Sequence, residues 1–131
     1  METQSKKYTI LIVEDDLPEQ KALVDKFSRE GFSILEAKNG EEGLASALKN
    51  HPDIILLDIV MPRMDGMTML KRLRASDRGK NIPVIMLTNL SDQEKIAEAL
   101  ALQSFDYLVK SDWKIDEVVK KVREKLQIKS K

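Results

Sequence analysis

A doubly wound α/β domain, built as (βα)5 around a parallel sheet of order 2-1-3-4-5, is predicted by three observations on this sequence. Five short apolar runs recur along the chain: YTILIV at 8–13, SILEA at 33–37, DIILLD at 53–58, PVIMLT at 83–88 and FDYLV at 105–109. The segments between them carry apolar residues at helical spacing, and alternation of this kind implies a parallel sheet with helices on both faces. Runs one, three and four are almost uninterrupted, as expected of strands buried on both sides, whereas run two is broken by Ser33 and Glu36 and run five alternates. Placing two and five at the edges gives the order, with strands one and three adjacent where the winding reverses and ligands bind.

The helical segments are justified in turn. Leu23, Val24 and Phe27 share a face in the first, and Leu44, Ala47 and Leu48 in the second. Leu70 pairs with Leu73 in the third, Ile96 with Leu100 in the fourth, and Val118 and Val119 with Val122 and Leu126 in the fifth. Pro18 suits a first helical turn, and Asn39 to Glu42 and Ser91 to Glu94 have capping-box spacing. Asp16 and Asp65 read as helix caps without chemistry, and His51 as an exposed residue after the second helix. Trp113 and the six methionines read as packing or surface residues.

At 131 residues the chain is one domain's worth, spanning 1–131 with an ordered core of about 7–128 and no room for an effector domain. Its 22 basic and 22 acidic residues balance, so composition gives no reason to expect nucleic-acid or membrane binding; the basic end, KKVREKLQIKSK, reads as a solvated face and tail. Without cysteine there is no disulfide framework, thiol catalysis or zinc-thiolate site. No stretch has membrane-span length and METQSKKYTI lacks a signal-peptide core, so a cytoplasmic location is expected.

The strand ends carry the chemistry. Strand one ends on Glu14 and Asp15, strand three on Asp58, strand four on Thr88 and strand five on Lys110, while strand two ends on Ala37 with nothing reactive. Three crowded carboxylates repel, each pair by about 4 kcal/mol at about 4 Å in an effective dielectric of about 20. They must share protons or recruit a cation. Mg²⁺ is favoured over Ca²⁺ because it takes one or two carboxylates and keeps waters or phosphate oxygens. Lys110 and Thr88 add a fixed positive charge and a donor for a tetrahedral anion. A carboxylate can itself attack phosphorus to form an aspartyl phosphate.

These residues resemble the receiver domain of two-component response regulators, the CheY-like family with its flavodoxin-like fold, over nearly the whole chain. ILIVEDD, LLDIVMPRMDG, VIMLTN and DYLVK occur in the family's order and spacing. The resemblance implies that Asp58 accepts a phosphoryl group from a histidine kinase or a histidine phosphotransfer protein. It implies that Asp15, Asp58 and the Val60 backbone carbonyl coordinate Mg²⁺, for which Mn²⁺ can substitute, with Glu14 assisting through water. Thr88 and Lys110 would bind the phosphoryl oxygens. Tyr107 matches the family's switch aromatic, and the face formed by the fourth helix, fifth strand and fifth helix would change its downstream protein partner. The domain would be a monomer or a phosphorylation-dependent dimer, assisting its own phosphorylation and dephosphorylation without a separate substrate.

Some positions depart from the family pattern. Ser111 stands where a proline normally follows the lysine, and a cis bond before a non-proline costs about 3 to 4 kcal/mol, so a trans Lys110–Ser111 bond and a rearranged SDWK loop are expected. Asn89 replaces a small residue beside the threonine and either binds phosphate or narrows access for small donors. QSF at 103–105 replaces a Gly-Ala-containing turn. The resemblance implies that the residues two after the aspartate and two after the threonine flank the path of the hydrolytic water; here they are Val60 and Leu90, neither with a hydrogen-bonding group, which predicts slow autodephosphorylation. Two other functions compete: a Mg²⁺-dependent aspartyl-phosphate phosphatase or phosphotransferase, and a receiver-like interaction domain that never turns over phosphate. Against the first, Val60 occupies the place of a second catalytic aspartate and no insertion is long enough for a cap.

Overall fold

Why each apolar run becomes a strand is visible in how its alternate residues are used. In strand β1 (Thr9–Val13), Leu11 and Val13 pack to one side of the sheet while Ile10 and Ile12 pack to the other. Strand β3 (Ile54–Asp58) does the same with Ile55 and Leu57 against Ile54 and Leu56. Each fully buried aliphatic side chain of this kind contributes about 1.5–3 kcal/mol. Both strands are therefore apolar without interruption because both faces of each pleat are covered.

The computed structural model describes residues 7–88, 106–109 and 114–128, the side chains of 88 and 106–109 excepted. The described elements run β1, helix α1 (Leu17–Arg29), strand β2 (Ser33–Ala37), helix α2 (Gly40–Asn50), β3, helix α3 (Gly66–Arg74), strand β4 (Val84–Thr88), strand β5 (Asp106–Val109) and a C-terminal helix (Ile115–Leu126). All five strands are parallel in the order β2-β1-β3-β4-β5, as the interrupted runs two and five predict. One apolar layer joins the sheet to α2 through Ala47 and to α3 through Met67, Met69, Leu70 and Leu73. The other joins it to α1 and the C-terminal helix through Leu23, Phe27, Val118 and Val122. The predicted capping box at Ser91, and the pair Ile96 and Leu100, lie outside the described residues.

The caps are built as expected, with one difference. The Asp16 carboxylate accepts from the Glu19 N–H at 3.0 Å, and that of Asp65 from the Thr68 N–H at 2.9 Å. At α2 the Asn39 side chain accepts from the Glu42 N–H at 2.9 Å, but Glu42 reaches back to the Lys38 N–H at 3.0 Å, one residue before the cap. His51 closes α2 in a left-handed conformation and is exposed.

An ion-pair cluster ties α1 to the C-terminal helix. Arg123, 8% exposed, donates to the Glu30 carboxylate at 2.9 Å and the Glu30 carbonyl at 3.1 Å, and stands 5.5 Å from the centroid of the Phe32 ring. Lys26 meets Asp116 at 2.8 Å. The hydrogen bond from Arg123 holds the Glu30 carboxyl below the usual carboxylate range, against the opposing effect of burial. A carboxyl depressed on folding stabilises above its unfolded pKa of about 4.3 and loses that contribution as pH falls through its lower folded value. Arg123→Ala is expected to cost about 2 kcal/mol at neutral pH, since it removes charge-assisted hydrogen bonds and a ring contact together. In urea unfolding the gap between the two proteins should narrow below pH 4.

Candidate metal and phosphoacceptor site

The parallel sheet delivers the C-terminal ends of β1, β3 and β4 to the same edge. Register pairs Val13 with Leu57 and Asp58 with Leu87, so the residues that follow β1 and those that end β3 and β4 lie side by side. Carboxylate oxygens of Glu14, Asp15 and Asp58 approach within 4.8 Å of one another. Glu14 is fully buried and Asp58 is 6% exposed, whereas Asp15 faces solvent. The three predicted acids are thus brought together, two of them where water cannot screen their charges.

Local contacts fix the acidic loop. The Glu14 N–H donates to the Ala37 carbonyl at 3.1 Å, and its carboxylate accepts from the Asp16 N–H at 3.1 Å. Strand β2 supplies no reactive side chain, as expected, but its final carbonyl anchors the turn. The loop after Asp58 is closed twice: the Gly66 N–H donates to the Ile59 carbonyl at 2.8 Å, and the Gly40 N–H donates to the Met64 carbonyl at 2.8 Å. A Cβ at Gly66 would collide with the backbone oxygen of Asp58, and one at Gly40 with that of Met64. Gly66 lets the chain lie directly on the strand end that carries Asp58, and Gly40 lets the start of α2 lie against Met64 of the loop that follows. Within the loop Met61 and Met64 are buried, Arg63 takes a left-handed φ of 66°, and Val60 is 61% exposed. The Arg63 guanidinium stands 3.4 Å from the Glu41 carboxylate, an exposed pair of small energetic weight.

The remaining predicted residues are placed in part. Thr88 ends β4 beside Val109, which puts its backbone at the acidic end of the sheet. Tyr107 lies in β5 opposite Met86. The side chains of both, and Asn89, Leu90, Lys110 and the Lys110–Ser111 bond, lie outside the described residues. Sequence reasoning missed Gln20, a buried amide in α1, and the two loop-closing glycines. Gly40 and Gly66 had a signal in the NG and DG pairs that precede helices, whereas Gln20 had none beyond its apolar neighbours.

The donor set suits a hard cation. Three oxygen-bearing acids, one of them open to solvent, match an ion that takes few carboxylates and retains water, as Mg²⁺ does. No described helix is long and apolar enough to cross a membrane.

Comparison with known proteins agrees with this geometry. The family model of the response regulator receiver domain matches residues 10–123. Regulatory protein AtoC of Escherichia coli is 37% identical over 121 residues, covering 92% of this chain and 26% of AtoC; the chain thus spans about a quarter of that relative's length. Sporulation initiation phosphotransferase F of Bacillus subtilis is 36% identical over 121 residues, covering 92% of this chain and 95% of that protein. Among solved structures, the CheX-CheY-BeF3-Mg²⁺ complex from Borrelia burgdorferi aligns with a TM-score of 0.80 at 34% identity, over 93% of this chain and 90% of that one. A parallel five-stranded sheet in 2-1-3-4-5 order, three acids at its switch point and a family match across residues 10–123 together establish that the chain belongs to the response regulator receiver domains of two-component systems.

Proposed function

We infer that this domain is a phosphorylation-driven switch in which Asp58 takes a phosphoryl group from a histidine kinase or a histidine phosphotransfer protein. The observation that carries the reading is the convergence of the Glu14, Asp15 and Asp58 carboxylates within 4.8 Å at the C-terminal edge of the sheet. Asp15, Asp58 and the Val60 carbonyl would hold Mg²⁺, or Mn²⁺ in its place, with Glu14 acting through water. When bound, the ion neutralises charge on the phosphoryl oxygens. The Mg²⁺ in the Borrelia complex supports that choice.

In the transfer, a lone pair on an Asp58 carboxylate oxygen forms the new O–P bond. The P–N bond of the donor phosphohistidine breaks, and its electron pair leaves with the imidazole. Positioning and charge neutralisation supply most of the catalysis for such a step. Burial of Asp58 at the end of β3, beside a following loop closed by hydrogen bonds from Gly40 and Gly66, holds the acceptor oxygen still. Thr88 and Lys110 engage the phosphoryl oxygens better in the active state, which biases the Thr88 loop, the fourth helix and Tyr107 toward a new arrangement. The output is a changed protein partner at the fourth helix, fifth strand and C-terminal helix, in the cytoplasm, as a monomer or a phosphorylation-dependent dimer.

A screen for transfer from the source organism's autophosphorylated histidine kinases tests this directly. One or a few kinases should label the chain rapidly, with the label on Asp58; label confined to another residue would contradict the assignment.

Val60 and Leu90 set the lifetime of the phosphorylated state. Neither side chain can orient a water, and both can crowd one. Val60→Asn combined with Leu90→Glu is expected to speed autodephosphorylation by about tenfold or more, as positioned polar groups do in acid–base steps. An unchanged decay of the phosphorylated mass would remove Val60 and Leu90 from this role.

A further inference from the structure

The first helix carries one buried amide on a face that is otherwise apolar. Gln20 is 4% exposed and lies one turn before Leu23 and two turns before Phe27, which are buried in the layer on one side of the sheet. Its Nε2 donates to the Ala37 carbonyl at 3.0 Å. That same carbonyl accepts the Glu14 N–H at 3.1 Å. Glu14 in turn accepts from Asp16, and Asp16 caps the helix that carries Gln20 by accepting from Glu19. The four contacts close a ring from the end of β2 through the acidic turn and α1 back to β2.

A buried amide is retained at a desolvation cost unless its hydrogen bond is made, so the Gln20–Ala37 contact is one the fold holds in place. Without it, α1 could shift along the sheet, and the turn bearing Glu14 and Asp15, tied to α1 through Asp16, would shift with it. We propose that Gln20 is a positioning residue for the metal-binding acids, setting Glu14 and Asp15 against Asp58 through the shared Ala37 carbonyl. The inference rests on the reading of Glu14, Asp15 and Asp58 as a Mg²⁺ site.

Gln20→Met keeps the length of the side chain and removes the donor; Gln20→Glu keeps the shape and leaves only an acceptor. Both are compared with Asp53→Ala, which removes the acceptor of the Thr9 N–H at the opposite end of β1 and so weakens the same strand away from the acids. Calorimetric titration with Mg²⁺ should show Kd raised by about tenfold in each Gln20 variant, the lower end for groups that orient metal ligands, and unchanged by Asp53→Ala. In metal-free protein, amide exchange at Glu14 should quicken in the Gln20 variants alone. A Kd within twofold of the wild type in a folded Gln20 variant would overturn the proposal, as would an equal loss in Asp53→Ala. If one Gln20 variant fails to fold, the other decides. Wild-type protein that binds no Mg²⁺ would instead overturn the reading of the acids themselves, and this inference with it.

Discussion

A Gly66→Ala protein is expected to fold about 3 kcal/mol less stably than the wild type and to accept phosphate poorly. Overpacking usually costs 1–3 kcal/mol, and the upper end applies because all three of the nearest atoms, the Asp58 oxygen and carbon and the Ile59 Cα, are backbone. No flexible side chain can move aside. The new methyl must push the Asp58 carbonyl, or break the Gly66 to Ile59 hydrogen bond that closes the loop. Either route is expected to displace the Asp58 carboxylate along with its backbone. Thermal unfolding reads the first effect, as a fall in Tm of roughly 10 °C for a domain of this size, and phosphoryl uptake reads the second. Stability within about 0.5 kcal/mol of the wild type, the usual range for an innocuous surface change, would contradict the packing argument.

The second large effect belongs to Asp15. Asp15→Asn should raise the Kd for Mg²⁺ by about 100-fold or more, since even groups that only orient a metal's ligands cost 10- to 100-fold when lost. Asp15 is exposed, so the substitution leaves the core untouched and relieves repulsion among three neighbouring acids. The metal-free variant is therefore expected to be at least as stable as the metal-free wild type. Linkage supplies the check: Mg²⁺ at 100 times its Kd stabilises a binding-competent fold by about 2.7 kcal/mol. The wild type should show that gain in thermal unfolding, and Asp15→Asn should show almost none at the same concentration. Equal stabilisation of both would place the ion elsewhere.

Much of this molecule was legible because strand burial and strand-end chemistry are both written locally. The runs around Ile10 to Val13 and Ile54 to Leu57 announce two-sided burial, and the broken run at Ser33 to Ala37 announces an edge, which the order β2-β1-β3-β4-β5 bears out. Once the order is known, parallel pairing alone brings Glu14 and Asp15 to Asp58. Asp16 and Asp65 were legible as caps because an acid before a helical run has one dominant use. What stayed hidden depends on contacts between distant segments. Gln20 looks like a solvent-facing residue in LPEQKALVDKF, and only the end of β2 gives its amide a partner. Arg123 sits in a run of charged residues that reads as a wet helix face, yet it is buried against Glu30, 93 positions earlier. The glycines at 40 and 66 carry turn signals, but only the three-dimensional path shows which backbone oxygens exclude a side chain there.

Intact-mass measurement tests most directly whether Asp58 is the phosphoacceptor of a Mg²⁺-dependent site. The protein is incubated with acetyl phosphate, and separately with a phosphohistidine donor because Asn89, next after Thr88 in the sequence, is expected to narrow access for small donors, each with Mg²⁺ and with excess chelator. The wild type should gain the mass of one phosphoryl group in Mg²⁺ and none in chelator, and Asp58→Ala should gain none under either condition. A phosphoryl group appearing on Asp58→Ala, or a wild type that takes up none from its cognate donor in Mg²⁺, would contradict the assignment.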